Sequence, residues 1–114
     1  MFRRIYREEI QAHLAAQDPM ILAEALPAMY YATGHLPGAI NLPHDSIREL
    51  APQLLPDKNA FIVVYCANTP CQNSRIAAHT LSMLGYTQVA EYVEGKQDWS
   101  DAGLLLEKSV EQAA

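Results

Sequence analysis

Phe61-Ile62-Val63-Val64-Tyr65 is the stretch that most narrows the folds open to this chain. It is apolar at every position and rich in β-branched and aromatic residues, whereas a strand with one wet face alternates apolar with polar. Such a run belongs at the centre of a sheet covered on both faces, and the rest of the chain supplies the covering helices. From Ser74 to Leu84 the spacing turns helical, with Ala77, Leu81 and Leu84 along one stripe and Gly85 closing it. Arg7 to Ala16 reads as a second helix. Ile10 and Leu14 share a face, Glu8 and Glu9 suit the positive end of the helix dipole, and Asp18-Pro19 stops it.

The remaining segments fit between these anchors. Arg3 to Tyr6 reads as a short edge strand and Met20 to Ala25 as a buried one. Pro27 to Thr33 reads as a short helix closed by Gly34, and Gly38 to Leu42 as a strand between Pro37 and Pro43. Ser46 and Glu49 have capping-box spacing, and Ile47, Leu50 and Leu54 fall on one helical face behind them. Val89 to Val93 is a further strand, and Lys96 to Ala102 a short last helix ended by Gly103. Strands alternating with helices imply βα units and a three-layer α/β fold with a mainly parallel sheet. There is no internal repeat, low-complexity tract or linker, so one continuous domain over residues 1–114 is expected.

Half the residues are hydrophobic and only 18% are charged, enough to bury a core and unlike a disordered segment. A formal charge of −5 argues against nucleic acid as the main partner, since such proteins usually carry a basic patch. No stretch approaches the roughly 20 apolar residues a membrane helix needs, so no membrane partner is expected. The basic residues near the amino terminus have no apolar run of signal-peptide length behind them. Two cysteines do not form a secreted disulfide framework, which leaves a reducing cytoplasm as the simplest compartment.

In parallel sheets, ligands sit beyond the carboxyl ends of the strands. The segment Cys66-Ala67-Asn68-Thr69-Pro70-Cys71-Gln72-Asn73-Ser74 lies there, between the clearest strand and the clearest helix. A loop running into a helix amino terminus presents backbone N–H groups with no helical acceptor. A thiolate in front of them is stabilised, and the thiolate is the nucleophilic form. Free cysteine more often serves as a small buried hydrophobe, but the placement of Cys66 argues for chemistry. Cys71 has two readings, a resolving thiol or a loop residue covering the site. A metal would need a second close-spaced ligand pair beside Cys-x4-Cys, and His35, His44 and His79 do not provide one, so no metal or cofactor is expected. His79 reads as a solvated helix residue. There is no Ser-His-Asp pattern, phosphate-binding glycine loop or specific pair of carboxylates.

These residues resemble the rhodanese-like (sulfurtransferase) family. Gly34-His35-Leu36-Pro37-Gly38-Ala39-Ile40-Asn41-Leu42-Pro43 is similar to its G-H-[IL]-P-G-A-x-N-[IL]-P segment. Val63-Val64-Tyr65-Cys66 is similar to the strand leading into its active-site cysteine, with Ser74 and Ala77-Ala78 in the helix that follows. Leu84-Gly85-Tyr86, Val89, Gly95-Lys96-Gln97-Asp98-Trp99 and Ala102-Gly103 are similar to its ending. The resemblance implies a five-stranded parallel sheet with helices on both faces. It also implies a cysteine, Cys66 here, that takes up sulfane sulfur as a persulfide and passes it to a thiophilic acceptor. The backbone from Ala67 to Ser74 would be the cradle. The implied partners are a small sulfur donor and a thiol or protein acceptor.

Three departures bear on the donor. Glu24 takes an acidic position of the family pattern, but Leu26 stands where an arginine is common. Ser74 follows Cys66 by eight residues where the compact loop has six, and the loop has no arginine before Arg75. A wider, less cationic pocket suits thiosulfate less well and a bulkier donor better. Two alternatives use the same loop: two-cysteine redox chemistry with Cys71, or oxyanion chemistry on phosphate or arsenate. A third is a binding module without chemistry. The catalytic reading expects the amides at the helix mouth to face the sulfur of Cys66.

Overall fold

The computed structural model describes residues 2–108. Residues 1 and 109–114 of the expected domain lie outside the described residues. Along the chain run β1 (Phe2–Ile5), α1 (Arg7–Ala16), β2 (Ile21–Glu24), α2 (Ala28–Thr33), β3 (Ile40–Asn41), α3 (Ile47–Leu54), β4 (Phe61–Tyr65), α4 (Asn73–Met83), β5 (Gln88–Tyr92) and α5 (Gly95–Asp101). The strands form one five-stranded sheet in the order β1-β5-β4-β2-β3, and every pairing is parallel. This is the α/β fold with a parallel five-stranded sheet that the sequence implied. β4 is central, and β1 lies on one edge as expected.

The period-two alternation of β4 divides the core between two faces. Ile62 and Val64 pack with Ala51 and Leu55 of the α3 region and Ala77, Ala78 and Leu81 of α4. Val63 and Tyr65 point the other way, toward Ile10 of α1 and Trp99 of α5. Ile62, Val63, Val64 and Tyr65 are all fully enclosed, so no position of the strand needed to be polar.

Two expectations about α3 are corrected. Ser46 is its N-cap residue but makes no side-chain capping bond; its hydroxyl meets Asp45 Oδ1 instead. The buried stripe is Ile47, Ala51 and Leu55, and Leu54 is 42% exposed. The spacing i, i+4, i+8 reaches the sheet, whereas Leu54 lies one position off that line. Likewise Ile10 is buried in α1 while Leu14 is exposed.

The Gly34–Pro43 motif is scaffold. His35 stacks on Tyr31 at 3.9 Å between ring centroids, and its Nδ1 lies 2.8 Å from the Tyr31 carbonyl. Tyr31 in turn donates to the Ala39 carbonyl at 2.6 Å. Gly38 turns the chain with φ +75, a conformation that favours glycine.

Candidate active site

Three carbonyls at the end of β4 are held by amides from elsewhere. Ala25 N donates to Tyr65 O at 2.9 Å, Lys96 N to Cys66 O at 3.0 Å, and Gln97 N to Ala67 O at 2.8 Å. The last two bonds bring the start of α5 against the cysteine, and Gly95 makes that approach feasible. Its φ is +63, and a Cβ there would overlap the Cys66 carbonyl oxygen. Beyond Ala67 the hold loosens. Asn68, Thr69, Pro70 and Gln72 are exposed, and one turn bond, Cys71 N to Asn68 O at 3.1 Å, spans them.

Cys66 and Cys71 are joined as a disulfide, with Cα atoms 6.4 Å apart. Cys66 is fully buried, whereas Cys71 is partly exposed. In this paired state no backbone amide among the described residues donates to either sulfur. The cradle expected from Ala67 to Ser74 is not what surrounds Sγ here. The other polar neighbour of Cys66 Sγ is the hydroxyl of Ser74, 3.5 Å away in the first turn of α4. Ser74 in turn donates to Oε2 of Glu91 on β5 at 2.7 Å, and both residues are buried. Asn73 opens the helix one residue before the serine. Arg75 is exposed, as is His79.

On the opposite face of the sheet a second buried carboxyl closes the site from behind. Glu24, fully enclosed at the end of β2, accepts from the Tyr65 hydroxyl at 2.9 Å and from Lys96 Nζ at 3.1 Å. Lys96 also donates to the carbonyl of Gly34 at 2.8 Å. Burial pushes the Glu24 carboxyl above its ordinary value, with Lys96 and Tyr65 pulling partly the other way. Burial also pushes the Tyr65 hydroxyl far upward, so it stays a donor. Leu26, in the place where the family pattern commonly has an arginine, is buried.

Two surface cavities flank the loop. One, of about 340 Å³, is bounded by Cys71, Gln72, Arg75, Glu91 and Val93. The other, of similar size, is walled by Asn68 to Pro70 and by Glu94, Asp98 and Asp101. On the second, Glu94 pairs with Arg4 and Asp98 with Arg7. Sequence reasoning missed Glu91 and Lys96. A charge inside the apolar run Val89 to Val93 was a legible signal for Glu91; for Lys96 there was none, because its partner lies 72 residues away.

The family profile described as "Rhodanese-like domain" matches residues 7–102. This chain belongs to the rhodanese-like family. Among its relatives, the thiosulfate sulfurtransferase PspE of Escherichia coli (strain K12) is 41% identical over 59 residues, 52% of this chain and 55% of that protein. The HTH-type transcriptional regulator Rv0324 of Mycobacterium tuberculosis is 30% identical over 87 residues, 76% of this chain and 37% of that protein. The chain therefore spans about half or less of the curated relatives it matches. Among solved structures, the rhodanese-like fold recurs in the BH2092 protein of Bacillus halodurans with TM-score 0.86 at 23% identity, over 93% of this chain and 77% of that one. Among the described residues no helix is long and apolar enough to cross a membrane.

Proposed function

We propose that this rhodanese-like chain transfers sulfane sulfur, with Cys66 as carrier and Cys71 as resolving thiol. The Cys66 thiolate attacks the outer sulfur of a donor, the donor's S–S bond breaks, and its remaining part leaves with the electron pair. Cys66 is left as a persulfide. An external acceptor then takes the outer sulfur and regenerates the thiolate. Alternatively, the Cys71 thiolate attacks Cys66 Sγ, forms the disulfide and expels hydrosulfide.

The Cys66–Cys71 bond is the observation that supports this scheme most directly, because it brings both thiols within reaction distance beyond the central strand. With the pair oxidised, Cys66 is sealed under its loop. Reduction is then the precondition for sulfur uptake, which suits a reducing compartment such as the cytoplasm. Partners in this scheme are a small sulfur donor and a thiol or protein acceptor. The loop carries no arginine before Arg75, which favours a persulfide or protein-bound donor over thiosulfate.

The test is sulfur transfer by reduced protein, with thiosulfate and with a small organic persulfide as donors. Cys66→Ser should abolish transfer from both donors with the fold intact by circular dichroism. Cys71→Ser should keep transfer to an added acceptor but lose hydrosulfide release without one. Full transfer by Cys66→Ser would eliminate the scheme.

A further inference from the structure

The two sulfurs of the disulfide face different surroundings. Cys66 is fully buried, and on its inner side stand Ser74 and Glu91. Ser74 has one hydroxyl hydrogen, and that hydrogen goes to Glu91 at 2.7 Å, so the oxygen turns lone pairs toward Cys66. Cys71 instead forms part of the wall of an open cavity of about 340 Å³, together with Gln72, Arg75 and Val93. Thiol–disulfide exchange requires the incoming thiolate to approach one sulfur in line with the bond that breaks. Only the Cys71 side offers room for that approach.

We infer that Cys71 is the sulfur attacked by an external small thiol, and that the cavity beside it is the docking site for that thiol. The inference rests on the two-cysteine scheme above and adds the direction in which it is reset. A thiolate RS⁻ attacks Cys71 Sγ; the Cys71–Cys66 bond breaks, and Cys66 leaves with the electron pair as a thiolate, which takes its proton from solvent. A second RS⁻ attacks the RS–S–Cys71 mixed disulfide, giving RSSR and the Cys71 thiolate. Two thiols are oxidised and one protein disulfide is reduced. Arg75 on the cavity wall attracts the incoming anion and makes no ion pair among the described residues. The other charge on this wall is Glu91, whose Oε2 accepts from Ser74.

The experiment uses no sulfur donor, so its failure is separate from failure of the transfer scheme. Oxidised wild-type protein is mixed with limiting 2-mercaptoethanol, quenched in acid, and its mixed disulfide located by peptide mass. The mixed disulfide should map to Cys71. Mapping to Cys66 would overturn the inference, and the wild-type protein alone decides it.

Discussion

Glu24 is a carboxyl with no access to water, and its fate sets much of what can be measured at single residues. Lys96 is the cation that faces it, 3.1 Å away and itself mostly buried. Removing one partner of such a pair strands the other, at a cost of about 3–5 kcal/mol, whereas removing both costs less. Lys96→Met should therefore lower unfolding free energy in urea by about that amount, and the double change Glu24→Gln with Lys96→Met should recover much of it. The pH dependence has a definite sign. Because burial raises the folded carboxyl above the unfolded one, this group's contribution is complete below the ordinary carboxyl value and is lost as pH rises through the folded value. Glu24→Gln should flatten that loss in urea titrations run from about pH 4 to about pH 7. At the other buried carboxyl, Ser74→Ala leaves Glu91 Oε2 without its 2.7 Å donor, and a stability loss of about 1–3 kcal/mol is expected from the same measurement.

At the scale of elements, the site is a pinned strand end followed by a loosely held loop. The pin is the amino end of α5, which works only because Gly95 has no Cβ and sits at φ +63. Gly95→Ala forces a left-handed alanine, worth about 1–2 kcal/mol by itself, and adds the overlap with Cys66. A loss above about 2 kcal/mol with a matching fall in sulfur transfer is expected; a stable variant of full activity would show that α5 does not hold the cysteine. β4 and α4 were readable because their patterns are local: an unbroken apolar run, then a helical stripe of Ala77 and Leu81. α3 was less so. Ser46 and Glu49 have the spacing of a capping box, but spacing does not fix side-chain direction, and the Ser46 hydroxyl faces Asp45. The disulfide was open for the same reason, since two cysteines five residues apart permit pairing without requiring it.

For the molecule as a whole, sheet order decides which distant residues meet. β2 and β5 flank β4, so Glu24 and Glu91 reach its carboxyl end from either side and lie under opposite helical layers. No local pattern announces that arrangement. The family segments gave the fold because they encode it directly, through the Tyr31–His35 stack and the turn at Gly38. They include Ser74 but say nothing of the buried Glu91 carboxylate to which it donates. The scheme built on this architecture stands on Cys66 holding a sulfur that its partner thiol can release. The direct test is the intact mass of Cys71→Ser protein, reduced, freed of reductant and exposed to a small persulfide donor. A gain of one sulfur atom, mapped to the Cys66 peptide and removed by fresh thiol, is the predicted result. An unchanged mass in folded protein, with the Cys66 thiol still free, would contradict it.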